Sequence, residues 1–226
     1  TLEDENNTYS VVKNNIMVTL NLCCYLNRVK GFVHISSDKA VNPTNNMGYT
    51  KLWCEKIVQH SAERSSTPTK IVRFGNVYNS AGSFIETLQW QVENGLPITI
   101  TDERMKRYFL TINDAVMLIN SVVDLDDFNA TYILEMGEEV SIVDIVNQYN
   151  INSPIEYIGI RPGEKLREEL VYDYEQLEQT SNQMIKRVSW KHVDMSDNIK
   201  AILQELREDK ICVPAITKIL TTITTS

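Results

Sequence analysis

Two periodicities alternate along the first third of this 226-residue chain, and their order limits the fold more than any other feature. Val12, Ile16, Leu20 and Cys23 or Cys24 recur at helical spacing, which predicts a helix over Ser10 to Asn27. Phe32 to Ser36 (FVHIS) is a short apolar run after Gly31 and predicts a buried strand. Asn42-Pro43-Thr44 breaks the chain. A second helix is expected from Gly48 to about Ser65, and a second apolar strand from Thr69 to Phe74 (TKIVRF), ending at Gly75-Asn76. Helix–strand–helix–strand with strands apolar throughout is the pattern of a parallel, doubly wound sheet, so the fold class is α/β.

The second half is mixed α+β, consistent with a small lobe packed beside a sheet. Helices are expected at about Ser83 to Asn94, Ile112 to Val123, Ser141 to Tyr149 and Ser196 to Glu208, and strands at Ile98 to Thr101, Thr131 to Glu135 and Ile155 to Ile158. The end of the chain is read as polar and Thr/Ser-rich.

Composition excludes several classes. With 42% hydrophobic and 23% charged residues, the chain is that of a soluble globular protein able to bury a core. A formal charge of −8 argues against a nucleic-acid partner, which needs a basic face. The cysteines (Cys23, Cys24, Cys54, Cys212) form no C-x-x-C, and His34, His60 and His192 are scattered. Neither a metal site nor a disulfide framework is expected, and the thiols are read as reduced core residues. The longest apolar stretch, near Ile16 to Leu26, is too short to span a bilayer, and no signal peptide precedes it. The chain starts at Thr1 without a methionine, which permits a fragment or a processed start. Glycine is scarce, and no two of its 8 glycines are separated by one residue. A dinucleotide-binding G-x-G-x-x-G is therefore absent from the sequence, and so is a Walker loop.

The segment richest in chemistry is Ser36-Ser37-Asp38-Lys39-Ala40-Val41-Asn42-Pro43-Thr44. It lies at the C-terminal end of a predicted parallel strand, where ligands bind in open α/β sheets. A hydroxyl, an acid and an amine follow one another there, which places a hydrogen-bond donor, a proton donor and a base together. Met47-Gly48-Tyr49-Thr50-Lys51 opens the next helix, with Met47 and Lys51 on one face and Tyr49 on roughly the opposite side.

The order of motifs resembles the extended short-chain dehydrogenase/reductase superfamily, and within it the UDP-N-acetylglucosamine 4,6-dehydratases of the CapD-like polysaccharide biosynthesis branch. The residues that carry the resemblance run from about Asn6 to Tyr174. They include Lys13-Asn14-Asn15, the S-D-K-A-V-N-P-T segment from Ser37, Met47-Gly48 with Thr50-Lys51, Val72-Arg73-Phe74-Gly75-Asn76-Val77, Gly82-Ser83, Arg107-Tyr108-Phe109-Leu110-Thr111-Ile112, Met136-Gly137-Glu138 and Arg161-Pro162-Gly163-Glu164-Lys165-Leu166.

The resemblance implies a partial Rossmann-like fold (the C-terminal half of a doubly wound sheet) with a small substrate-binding lobe. Residues 1–95 would form part of the dinucleotide-binding domain, residues 96–190 an interleaved UDP-sugar lobe, and residues 191–226 a helical tail. It implies an NADP- or NAD-dependent lyase: oxidation at C4, loss of water across C5–C6, and hydride return to C6. Lys39 would be the C5 base, Asp38 the C6 acid, and Ser37 the donor to the C4 oxygen. Lys51 would hold the nicotinamide ribose, with Asn15, Ser36 and Asn76 also on the cofactor side. Asn76, Ser83, Arg107, Arg161 and Glu164 would contact the UDP-sugar. Met47 replaces the Y-x-x-x-K tyrosine usual in the wider superfamily, and a thioether cannot shuttle a proton. That leaves the C4 base open, with Asp38 a better candidate than Tyr49.

The resemblance also implies a β-α-β unit with the glycine-rich loop that this sequence lacks. The chain alone is expected to bind NAD(P) poorly, to expose the strand bearing Ser36 as a sheet edge, and to be inactive without that half. The intact parent is expected to be a cytoplasmic homo-oligomer, and a membrane anchor outside this catalytic part stays open. Two alternatives stay open: a UDP-sugar 4-epimerase, and a non-catalytic UDP-sugar-binding remnant or partner subunit.

Overall fold

A computed structural model describes residues 5–78, 80, 84–148, 153–206 and 213–224. The chain opens with α1 (Glu5–Val12), a π turn (Lys13–Met17) and α2 (Val18–Cys23), which follow one another as one helical segment. β1 (Phe32–Ile35) leads through a 3₁₀ turn (Asp38–Ala40) into α3 (Asn46–Ala62). β2 (Thr69–Arg73), β3 (Asn76–Val77) and α4 (Phe84–Glu93) come next. Then follow β4 (Ile98–Ile100), β5 (Lys106–Arg107), β6 (Phe109–Leu110) and α5 (Ile112–Asp124). β7 (Ala130–Leu134), β8 (Val140–Ser141), α6 (Ile142–Gln148) and β9 (Ile155–Tyr157) complete the middle of the chain. A hairpin of β10 (Glu178–Gln179) and β11 (Ile185–Ser189), then α7 (Ser196–Glu205) and α8 (Val213–Thr221), end it.

The main sheet runs β1-β2-β7-β11-β10. β1, β2 and β7 are parallel, as the apolar runs predict, whereas β11 and β10 add on antiparallel. β2 is buried at every position because helices cover both of its faces. Val72 joins the cluster containing Ala115 and Val122 of α5, while its neighbour Arg73 reaches Glu55 of α3. Alternation of side chains along a strand sends the two to opposite faces. β1 pairs with β2 on one side alone among the described residues, so the strand bearing Ser36 is the sheet edge, and Ile35 there is 40% exposed.

α3 is enclosed by the sheet and by α1, α2 and α8, and is buried along most of its length. Asn45 caps it, its Oδ1 accepting from Gly48 N at 2.9 Å. The core on this side joins Val12, Ile16, Trp53 and Ile57 to Ile202, Ile216 and Leu220. The end of the chain, read from sequence as polar, is thus partly core: Trp53 donates its indole N–H to the Leu220 carbonyl at 3.0 Å. α7 and α8 are a wall of this core and not a separate tail. β7 and β11, from the segment expected to form the lobe, belong to the main sheet. The lobe itself is smaller: β4 pairs with β9 and β5 with β8, around Ile85, Leu88, Ile98, Ile142 and Ile145.

Cys54 is buried, but Cys24 is exposed and Cys23 only half-buried, so the expectation of four core thiols fails there. Cys212 lies outside the described residues. No group of His, Cys, Asp or Glu arranged to hold a metal occurs among the described residues. No described helix is long and apolar enough to cross a membrane.

Candidate active site

The Ser37-Asp38-Lys39 segment leaves β1 where its pairing to β2 runs out, with Ser36 N bonded to Val72 O at 2.7 Å and Asp38 N to Phe74 O at 3.1 Å. The turn then tightens, and Lys39 N donates to Ser37 Oγ at 3.2 Å. One carboxylate oxygen gathers the chemistry. Asp38 Oδ1 accepts from Ser37 Oγ at 2.8 Å and from Lys39 Nζ at 2.9 Å. Lys39 Nζ also reaches Asn76 Oδ1 at 3.2 Å. The Asp38 side chain is 0% exposed, and its Oδ2 has no hydrogen-bond partner, whereas Lys39 stays 30% exposed.

Five contacts fix this turn. A Cβ at Gly48 would lie 2.7 Å from the Lys39 carbonyl, so only glycine lets α3 approach so closely. Lys165 Nζ donates to Val41 O at 2.7 Å and Tyr172 Oη to Ala40 O at 2.8 Å. Thr44 Oγ1 and Asn45 Nδ2 both donate to the Gly163 carbonyl at 2.8 Å. Gly163 has φ +77 and sits against Thr44 and Asn45, a backbone state and a clearance that favour glycine. The R-P-G-E-K turn is thereby clamped onto the N-P-T-N loop.

Between the two lies a cleft of about 870 Å³. Ser37, Lys39, Met47, Lys51 and Asn76 form its sheet-side wall, and Arg107, Arg161 and Glu164 its lobe-side wall. Met47 and Lys51 share one face, one turn apart, whereas Tyr49 packs into the core. Arg161 is exposed, and its guanidinium has no carboxylate partner among the described residues. Glu164 is held by Thr101 Oγ1 at 3.2 Å and by the Arg161 N–H at 3.4 Å. Phe84, Ile100 and Phe109 give the lobe side an apolar surface, with Phe109 stacked on Tyr78 at 4.5 Å.

Other expected residues stand elsewhere. Asp38 lies behind Ser37 and Lys39 and does not line the cleft. Ser36 turns inward and donates to Glu55 Oε1 at 2.6 Å, so its hydroxyl is not offered to a cofactor. The two neighbouring serines face opposite ways because strand side chains alternate. Asn15, in the π turn, donates to Thr50 Oγ1 at 2.8 Å, which donates to Met47 O at 2.7 Å; it steadies the start of α3 and does not reach the cleft. Arg107 does touch the cleft wall, but it is buried and its guanidinium is spent on the carbonyls of Lys106, Lys165 and Leu166 at 2.7–2.9 Å. It braces the R-P-G-E-K-L segment. Ser83 lies outside the described residues.

Sequence reading missed the buried Glu55–Arg73–Glu175 network beneath the site. Arg73 Nε and Nη2 grip Glu55 at 2.7 and 2.6 Å, and its Nη1 grips Glu175 at 3.0 and 2.7 Å. Burial would raise the Glu55 pKa, but the Arg73 charge and the hydrogen bonds outweigh it and hold the carboxyl below its ordinary value. The only signal was the spacing of Glu55, four residues after Lys51 and so on the same face of α3.

A family described as "Polysaccharide biosynthesis protein" matches residues 3–190, most of the chain. The chain belongs to that family. It therefore sits in the polysaccharide biosynthesis branch of the extended short-chain dehydrogenase/reductases. The probable polysaccharide biosynthesis protein EpsC of Bacillus subtilis is 43% identical over 176 residues, covering 74% of this chain and 29% of that protein. A UDP-N-acetylglucosamine 4,6-dehydratase (inverting) of Campylobacter jejuni is 31% identical over 173 residues, covering 74% and 52%. Among solved structures, Pen from Bacillus thuringiensis superposes with a TM-score of 0.70 at 34% identity, covering 77% of this chain and 58% of that one. The chain thus spans about a third to a half of these curated relatives. UDP-glucose 4-epimerases also match.

Proposed function

We propose that this chain supplies the catalytic and UDP-sugar-binding part of a nucleotide-sugar 4,6-dehydratase acting on UDP-N-acetylglucosamine or a close analogue. The observation that carries this reading is the sharing of Asp38 Oδ1 by Ser37 and Lys39, with the hydroxyl and the amine on the cleft wall and the carboxylate behind them.

The geometry suggests an order of proton movements. Ser37 Oγ donates to Asp38 and accepts from Lys39 N, which leaves one lone pair to accept the proton of the sugar 4-hydroxyl while its own proton passes to Asp38. Asp38 thus serves as the C4 base through Ser37, which relieves Met47 of a task it cannot perform. Once C4 is a carbonyl, the C5 proton is acidic, and Lys39 in its neutral form removes it. The electron pair becomes the C5–C6 double bond, the 6-hydroxyl leaves as water with the proton that Asp38 returns through Ser37, and Lys39 gives its proton back to C5 as hydride is restored at C6. Asn76 orients the Lys39 amine. Arg161 offers a bidentate, always charged fork to the UDP diphosphate. Lys51 would hold the ribose of a nicotinamide dinucleotide, NAD or NADP, whose chemistry is to take hydride from the sugar and return it. The residues present fit only the nicotinamide end of such a cofactor, because the sequence has no G-x-G loop for its pyrophosphate.

The test uses the dehydratase assembled with its dinucleotide-binding half, UDP-N-acetylglucosamine, and NMR of the product. A 4-keto-6-deoxy sugar is expected, and Lys39→Ala should lose it while UDP binding stays within about twofold. Retained turnover would remove Lys39 from the mechanism. A UDP-sugar 4-epimerase is the second reading, favoured by the burial of Asp38, since epimerisation needs no acid at C6. A C4 epimer with C6 still hydroxylated would decide for it.

A further inference from the structure

A second cavity, of about 320 Å³, opens between α3 and the β10–β11 hairpin and shares no lining residue with the candidate active-site cleft. Its walls are aromatic and its charges are unevenly committed. Tyr174 is 60% exposed and is held in place by stacking on Tyr172, with ring centres 5.0 Å apart. Trp190 spends its only polar atom on Thr131 Oγ1 at 2.9 Å, which fixes the indole and leaves the rest of the ring as apolar surface.

Both acids on the lining are already ion-paired, although Glu175 shares Arg73 with Glu55. Glu175 takes two hydrogen bonds from Arg73 and one from Tyr172 N at 2.9 Å. Glu178 accepts from Ser189 Oγ at 2.9 Å and pairs with Arg187 at 3.5 Å. The two lysines are not. Lys56 Nζ has one marginal contact, Gln59 Oε1 at 3.4 Å, and Lys191 Nζ lies over the Tyr174 ring at 5.5 Å. Among the described residues neither amine has a carboxylate within ion-pair distance. Burial lowers the Lys56 pKa; Glu55 and Glu175 oppose the shift, and Arg73 and, least of all, Lys191 add to it. A half-buried ammonium with no carboxylate in contact and a second ammonium nearby is costly, and an anion between the two amines would lower that cost.

We propose that this cavity binds a small planar organic anion, an aromatic ring bearing a phosphate or a carboxylate, with the ring against Tyr174 and Trp190 and the anion between Lys56 and Lys191. The volume lies at the lower end of small-molecule sites, which suits a ligand of one or two fused rings. The site is independent of the dehydratase reading.

Calorimetry on this chain tests it with 1-naphthyl phosphate, 1-naphthoate, 1-naphthol and inorganic phosphate. At least one naphthyl anion should bind at one site, tenfold or more tighter than both naphthol and inorganic phosphate. The tighter of the two anions identifies the acid group. Lys56→Gln and Lys191→Gln should each weaken that binding fivefold or more, and saturating UDP should leave it unchanged. Naphthol binding as tightly as the anions would reduce the site to an apolar patch, and competition by UDP would move the binding to the main cleft. Either result overturns the proposal, as does no binding at all. Lys191 is exposed, so if Lys56→Gln fails to fold, unchanged affinity in Lys191→Gln is sufficient to overturn it.

Discussion

Glu55 and Arg73 face each other through two parallel hydrogen bonds, Nε to Oε1 at 2.7 Å and Nη2 to Oε2 at 2.6 Å, with side chains 0% and 2% exposed. The pair joins α3 to β2, and through Ser36 on one side and Glu175 on the other it ties the Ser37-Asp38-Lys39 turn to the segment that follows the lobe. Removing one partner strands the other charge in the core. Arg73→Met should therefore destabilise the chain by about 3–5 kcal/mol, whereas the double variant Glu55→Gln, Arg73→Met should recover part of the loss. Urea unfolding of the three proteins checks this, and equal stability of single variant and parent would show that the pair carries no net energy.

Acid should weaken the fold in two stages. His34 is pushed down to about 4, first by burial and then by the Lys51 charge, from an ordinary value of 6.5. It stays neutral in the folded chain while the unfolded chain takes up a proton, so stability falls as pH drops below about 6.5. Glu55, held below its ordinary 4.5, adds a second loss at lower pH, where the unfolded chain protonates first. Unfolding midpoints between pH 8 and pH 5 should decline in the parent and flatten in His34→Gln. A pH-independent parent would contradict the buried neutral imidazole.

How much of this was legible in sequence depends on element length. β1, β2 and β7 are apolar runs of four or five residues, and such runs announce themselves. β3, β5, β6 and β8 are two-residue strands whose pairing comes entirely from tertiary contact, and no periodicity marks them. α8 was read as a polar end because threonines surround Ile216 and Leu220, although these two lie one turn apart and are both buried. In the site, Ser37 and Lys39 of the S-D-K motif and Arg161 and Glu164 of the R-P-G-E-K motif line one cleft, whereas Asp38 stands behind it. The inward turn of Ser36 was also readable, since it sits one position before Ser37 and must face the other way. The burial of Asp38 was not, because it depends on Gly75, whose missing Cβ leaves room for Asp38 Oδ2 only 3.1 Å away.

The sheet edge carries a solubility consequence. β1 has one unpaired side among the described residues, and Ile35, Val18, Leu22 and Tyr25 are 40–54% exposed. An apolar edge strand is a template for further pairing. The isolated chain should self-associate in a concentration-dependent way by light scattering, and Ile35→Lys should reduce it. Tight NADP binding by a monodisperse monomer would overturn both this expectation and the need for a dinucleotide-binding half.

Thiol chemistry should separate Cys54 from Cys24. Burial pushes the Cys54 thiol up to about 11, although a hydrogen bond from Thr19 Oγ1 at 3.2 Å favours the thiolate. At pH 8 Cys54 should resist iodoacetamide in the folded chain and react once urea is added, while exposed Cys24 labels at once. Peptide mass spectrometry reads both, and rapid native labelling of Cys54 would show that the α2–α3 packing is open.

Arg161 gives the sharpest test of the diphosphate contact. It is exposed, lines the cleft and has no carboxylate partner among the described residues, so binding a diphosphate costs it little desolvation. A charge-assisted contact at a solvated rim belongs at the lower end of its range, about 1.5 kcal/mol, or roughly tenfold in affinity. Arg161→Gln should weaken UDP binding by about that factor and flatten its dependence on salt, since the lost interaction is the one that ions screen. Arg107→Gln should act differently. Its guanidinium holds the Lys165 and Leu166 carbonyls, so its loss should lower the unfolding midpoint as well as UDP affinity. If Arg161→Gln leaves UDP affinity unchanged, the diphosphate does not lie against the R-P-G-E-K turn, and the orientation of the sugar toward Lys39 would have to be reversed.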